Sequence, residues 1–200
     1  MSTSEIQRLF ENAGAQTRQG EFDAAIASYE MILSEAPLNS DARHLAHWGI
    51  GDIHLNRKNL PEAEAHLMKA IELKSDEANY HYLLGCCYTY ADEVEKAIAA
   101  LETADRQKPD NDTILGQLAW VVGYHVDTEK GIELCKKALT INPDNFSCFR
   151  DLCMLYAKEL KFAEALVCIE EAQKRQPDNE LIERVRQDVE IFRSAYNRLD

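Results

Sequence analysis

Apolar residues recur along this chain at spacings of three and four, and the apolar runs come in pairs. From Ala78 to Asn111 the first run is carried by His81, Leu84, Gly85 and Tyr88, and the second by Ala97, Leu101 and Ala104. Residues on a helix turn by about 100° each, so this spacing gathers them on one face. Each such stretch is predicted to be two antiparallel helices joined by a turn.

The paired runs are punctuated by a tripeptide. Pro109-Asp110-Asn111, Pro143-Asp144-Asn145 and Pro177-Asp178-Asn179 follow one another at intervals of 34 residues, and Pro37-Leu38-Asn39 is an imperfect earlier copy. Proline cannot donate the hydrogen bond that would continue a helix and disfavours helix at the residue before it. The Asp and Asn that follow are good caps for the next helix. The punctuation divides the chain into units 6–39, 44–77, 78–111, 112–145 and 146–179, a fixed period of the kind that marks stacked repeats. In the second unit Ser75 stands where the proline would be. Four extra residues, Ser40 to Arg43, precede that unit, and with Ser40 as N-cap its first helix is expected to begin about one turn early. Beyond Asn179 the residues Leu181, Val185, Val189, Phe192, Tyr196 and Leu199 predict one amphipathic helix over 180–199, with a charged outer face, closing the open end of the stack.

Set against the pattern W-x2-L-G-x2-Y, A-x3-F and P, the residues His81, Leu84-Gly85, Tyr88, Ala97, Leu101 and Pro109 fall into register, and the chain resembles the tetratricopeptide repeat family. Ala13, Gly20, Phe22, Ala25, Tyr29 and Pro37 repeat the match in the first unit, as do Ile50-Gly51, Ala63, Leu67 and Ala70 in the second. Gly85 and Ala97 are small where two helices cross, and Gly20 suits the turn between the helices of its pair. The resemblance implies an all-α fold, a right-handed superhelical α-solenoid of antiparallel helix pairs, as a single domain over 1–200. Two departures stand out. Gly131 replaces the small alanine of the second helix in 112–145, whose turn reads His125-Val126-Asp127-Thr128. Cys153 replaces the glycine of the first helix in 146–179, a larger residue expected to splay that pair.

Numbering each unit from its first residue, positions 4, 7, 8 and 11 of the first helix share the packing arc, and positions 5, 9 and 13 fall opposite. That second arc carries Phe10, Trp48, Tyr82 and Arg150 at position 5, Cys86, Trp120 and Met154 at position 9, and Tyr90, Tyr124 and Lys158 at position 13. In tetratricopeptide proteins this side lines the concave groove, so the resemblance implies a partner-binding groove along these ten residues. Both tryptophans of the chain lie in it. Trp and Tyr bury much area at low entropic cost and dominate binding hot spots. The bland alternative is that these aromatics pack against one another and adjacent helices. Gly116 and Gly123 beside them either leave room for an inserted side chain or serve as close-packing sites. Five pairs at interaxial distances of ~8–10 Å give a stack of about 50 Å, which an extended peptide of roughly fifteen residues or a long helix can follow. Chaperone-binding family members clamp a terminal carboxylate with cations at positions 5, 9, 6, 2 and 6 of three successive repeats. No register of this chain supplies those cations.

Composition narrows the partner. Lys plus Arg total 22 against 35 for Asp plus Glu, a formal charge of -13. Such a surface repels phosphate backbones and anionic headgroups, which excludes nucleic acid and membrane as expected partners and favours a neutral to basic protein segment with apolar anchors. Met1-Ser2-Thr3-Ser4-Glu5 leads into a polar stretch without a secretory core, and no apolar run approaches the ~18 residues of a spanning helix, so the expectation is a cytoplasmic chain. Six cysteines scattered through helical patterns fit reduced thiols, with buried small hydrophobes as their default role and a redox role as the rarer one. Cys135, Cys148, Cys153 and Cys168 fall in the last two units, close enough in the repeat to approach one another. His44, His47 and His54 invite a metal reading, but His47 and His54 occupy packing positions, where hydrogen-bonded histidines are commoner; no metal and no cofactor are expected. No phosphate loop, nucleophile elbow or H-E-x-x-H occurs, so the expectation is a non-catalytic scaffold rather than an enzyme. The alternative is a self-assembling structural protein, a homo-oligomer joined through the groove or the C-terminal helix.

Overall fold

The computed structural model describes residues 2–35, 37 and 41–196, and among these it contains eleven helices and no strand. They are α1 (Thr3–Gln19), α2 (Phe22–Glu35), α3 (Asp41–Asn56), α4 (Leu60–Leu73), α5 (Ala78–Tyr90), α6 (Val94–Gln107), α7 (Asp112–His125), α8 (Thr128–Ile141), α9 (Phe146–Lys158), α10 (Phe162–Arg175) and α11 (Glu180–Tyr196). Two helices fall in every predicted unit. α3 begins at Asp41, three residues ahead of its unit, as anticipated, while the proposed Ser40 cap lies outside the described residues. So do Leu38 and Asn39 of the imperfect tripeptide and Leu199 of the last helix.

The tripeptide acts through its asparagine. The side-chain oxygens of Asn111 and Asn145 accept the backbone N–H of Ile114 and Cys148, each at 3.0 Å, and Asn179 accepts that of Leu181 at 3.0 Å. These bonds satisfy helix-start donors that otherwise have no partner. The amides of Asn142 and Asn145 donate to the Asp112 carboxylate at 2.9 and 2.8 Å, tying the α8–α9 turn to the start of α7. At the first helix, Ser2 and Glu5 form a reciprocal capping box.

Within pairs, the turn demands a left-handed residue at unit position 15. Gly20 takes it with φ 78°, and Lys58, Asp92 and Leu160 take it without being glycine. The 112–145 unit closes differently. Val126 there has φ -123°, and Asp127 caps α8 by accepting the Lys130 N–H at 3.2 Å.

The chain forms two compact units, 1–107 and 108–200. In the first, α1 to α6 pack each on the next, and the first helices of neighbouring pairs also touch (α1 on α3, α3 on α5). Ala13, Ala25, Tyr29, Ile32, Ala46, Ile50 and Ile53 make a shared core there. In the second, α7 to α11 pack in the same order, with α7 on α9 and α9 on α11. Cβ-free positions set the helix approach. A methyl on Gly85 would meet Leu101 Cγ at 2.6 Å, and one on Gly131 would meet Gly123 Cα at 2.4 Å and the Ala119 carbonyl at 2.9 Å. Gly123 and Gly131 thus face each other across α7 and α8 and leave no room for an inserted side chain. Gly116 lies buried with Cys148 3.6 Å from where its Cβ would be.

The closing helix is rotated from its predicted face. Val185 and Val189 are buried as expected, but Ile182 joins them in place of Leu181, which is 45% exposed. Phe192 and Ile191 are 50% and 66% exposed, so the outer face is not uniformly charged. Leu181 and Ile182 are both apolar, and a spacing of three to four residues permits either register; the contacts with α9 and α10 select the one through Ile182.

Candidate functional site

The ten groove residues predicted from the wheel divide between the two units, and each set is organised by different chemistry. In unit 1, Phe10 is half-buried with its ring 5.9 Å from Tyr29, joined to the core. Trp48 on α3 stands 6.3 Å from the Tyr80 ring of α5 and lines a cleft of about 300 Å³ together with Leu45, His44 and Tyr80. Its indole nitrogen is buried with no hydrogen-bond partner. Tyr80 was not among the predicted residues. It lies at unit position 3, off the chosen arc, and its role depends on a contact 36 residues away: its hydroxyl is 2.6 Å from His44 Nδ1.

Further along α5, Tyr82 and Cys86 lie one helical turn apart, and burial pushes the pKa of both upward, that of Cys86 to about 11. Asp52 of α3 approaches Cys86 and Tyr29, and burial raises its carboxyl above the usual carboxylate range. Tyr90 at the end of α5 is 58% exposed, with the Lys58 ammonium 3.0 Å from its ring centroid.

In unit 2, Trp120 and Tyr124 lie one turn apart on α7, ring centroids 3.8 Å from each other and planes inclined by 40°. Lys158 of α9 reaches back to them. Its ammonium donates to the Gly123 and Tyr124 carbonyls at 3.1 and 2.9 Å and sits 5.3 Å from the Tyr124 ring. It therefore neutralises the negative end of α7 and is committed to that role. Arg150 donates from Nε and Nη2 to Asp151 Oδ1, at 3.0 and 2.8 Å. Asp151 is buried, and desolvation raises its pKa against the opposing pull of Arg150. Met154 is half-buried on the same helix. Trp120, Tyr124, Arg150 and Lys158 are thus brought into one neighbourhood on α7 and α9.

A second concavity was not legible from the wheel. A cleft of about 730 Å³ opens between α8 and α10, floored by Phe149, Leu152 and Tyr156 of α9. These three are on the arc of α9 opposite to Arg150, Met154 and Lys158. Lys136, Leu139 and Thr140 of α8 and Ala163, Val167 and Cys168 of α10 form its walls. Cys153, which stands where a glycine is usual, is fully buried, its thiol donating to the Ala165 carbonyl of α10 at 4.0 Å.

The imidazoles in α3 and α4 are structural neighbours: His47 Nδ1 is 3.2 Å from His66 Nδ1, and the His54 ring is 6.0 Å from that of His66. Among the described residues no group of three or more His, Cys, Asp or Glu is placed to hold a metal ion. Nor, among them, is any helix long and apolar enough to cross a membrane.

Residues 16–85 and 78–111 each match a family model for the tetratricopeptide repeat. The chain is a tetratricopeptide-repeat protein. A solved tetratricopeptide repeat protein from Parabacteroides merdae superposes with a TM-score of 0.81 at 16% identity, over 98% of this chain and 76% of that one. YrrB, a tetratricopeptide-repeat protein with an unusual peptide-binding site, superposes with a TM-score of 0.68 at 17% identity, over 90% of each chain. The human protein O-mannosyl-transferase TMTC3 is 25% identical over 187 residues, 88% of this chain but 19% of that protein. The tetratricopeptide-repeat chain thus spans about a fifth of the length of that relative.

Proposed function

We propose that this protein is a non-catalytic scaffold that binds a peptide or helical segment of a partner protein on the first-helix aromatics. The observation that carries the reading is the Trp120–Tyr124 pair: two large rings one turn apart, inclined by 40° and both only partly buried, although Tyr124 also rests against the core of its unit. Contiguous aromatic surface of this kind is costly to leave in water and is retained where a partner covers it. In unit 1, Trp48, Tyr82 and Tyr90 supply a comparable set, and the peptide-binding site of YrrB, which shares the fold, supports a peptide as the ligand class. The formal charge of -13 favours a neutral to basic segment, and six free thiols suit the reducing conditions of the cytoplasm.

The test is selection of fifteen-residue peptides from a displayed library on the immobilised chain, followed by titration of a selected peptide. Tyr82→Ala with Trp120→Ala is expected to weaken its binding at least tenfold with helical circular dichroism unchanged. Affinity within twofold of the parent overturns the reading.

A second reading, association of identical chains through α11, is favoured by the outward Ile191 and Phe192. Light scattering of the parent and of Ile191→Asp with Phe192→Asp separates the two: a mass that falls in the variant supports self-assembly, and a monomer in both removes it.

A further inference from the structure

The cleft between α8 and α10 carries a reactive group that the binding role does not use. Cys168 lines it, partly buried, beside Lys136, Arg175 and Glu171. Directly beneath, the fully buried Cys153 belongs to the core cluster against which Cys168 packs, its thiol donating to the Ala165 carbonyl at 4.0 Å. One thiol thus lines the cleft and its neighbour stands behind it in the protein, on the adjoining helix. Cys135 and Cys148, in the cluster that Cys168 also packs against, are both fully buried, with the Cys148 thiol donating to the Cys135 carbonyl at 3.4 Å, and neither lines the cleft. They have no such outlet.

We propose that Cys168 is a modification site for hydroperoxides, with Cys153 as the thiol that resolves the product. The thiolate of Cys168 attacks the distal oxygen of the peroxide. The O–O bond breaks, Cys168 becomes a sulfenic acid, and the leaving alkoxide or hydroxide takes up a proton as the alcohol or water. Cys153 then attacks the sulfenic sulfur; the S–O bond breaks, its thiol proton leaves with the hydroxyl as water, and a disulfide joins α9 to α10. Two thiols are oxidised and one peroxide is reduced.

The electrostatics agree with this division. The neighbouring thiols shift in opposite directions: the pKa of Cys168 is lowered, first by the adjacent Cys153 and then, against burial and Glu171, by Arg175 and Lys136, whereas that of Cys153 is raised by the adjacent Cys168 and by burial. The apolar floor of Phe149, Leu152 and Tyr156 suits an organic hydroperoxide as well as hydrogen peroxide.

The experiment treats the folded full chain with one equivalent of hydrogen peroxide, quenches in acid, alkylates the remaining thiols and maps tryptic peptides without reduction. Cleavage after Arg150, Lys158, Lys161 and Lys174 puts Cys153 in 151–158 and Cys168 in 162–174, apart from the other four cysteines. The expected result is a fall from six free thiols to four, with those two peptides linked and Cys168 reacting at least tenfold faster than any cysteine outside the pair. In Cys153→Ser the sulfenic acid is expected to accumulate and be trapped by a cyclic dione; in Cys168→Ser the two-thiol loss should disappear. Linkage of any other pair, reaction only after unfolding, or over-oxidation of Cys168 with Cys153 still free in the parent chain overturns the proposal.

Discussion

His47 is buried among groups that disfavour a proton. Burial itself, then His66, Lys69 and Arg43, push its pKa from 6.5 down to about 4. The unfolded chain therefore binds that proton more readily than the folded one, so the contribution to stability is present above pH 6.5 and is lost as the pH falls from 6.5 towards about 4, where it levels off. Urea unfolding across that range should show stability falling by about 1.4 kcal/mol per pH unit for this group, and His47→Phe should flatten the slope by one proton. His44 and His66 are shifted in the same direction and deepen the effect. A second residue-scale consequence lies in the turns. Leu160 is held at φ 58°, where a side chain costs about 1–2 kcal/mol, and it is 47% exposed. Leu160→Gly should stabilise the chain by about 0.5–1 kcal/mol in denaturant titrations, the relief exceeding the added chain entropy.

At the scale of helices, α7 and α8 approach closely where Gly123 faces Gly131. Gly131→Ala would place a methyl against backbone on two sides, Gly123 Cα at 2.4 Å and the Ala119 carbonyl at 2.9 Å, so the helices must part; a loss of about 2–3 kcal/mol is expected. Gly14→Ala is the control. Only the flexible end of Arg18 lies near, at 3.5 Å, and the substitution should raise stability by about 1 kcal/mol through helix propensity. The helices were legible in the sequence because their period and asparagine caps are local signals. The face of α11 was not, because adjacent Leu181 and Ile182 fit the period equally and only packing chooses. Tyr80 and His66 escaped for a related reason. Each matters through a partner on another helix, His44 and His47, and no local pattern announces such a pair. The cleft beside α9 is walled by α8 and α10 and draws on residues from three helices, an arrangement that no single helix encodes.

On the scale of the whole molecule, the charge of -13 acts on every encounter. Association with a peptide carrying several Lys or Arg should slow by roughly tenfold between low and physiological ionic strength, measured by stopped-flow tryptophan fluorescence, while an uncharged peptide of the same anchors should show little change. The asparagine caps bear on how such a chain is taken apart and rebuilt. Asn145 ends one 34-residue period but holds the first turn of the next helix, and it also bonds back to Asp112. A module excised as 146–179 leaves its own cap behind, whereas one cut as 142–175 carries Asn145 with α9. For grafting repeats between scaffolds, the boundary to respect lies ahead of the proline rather than after the asparagine.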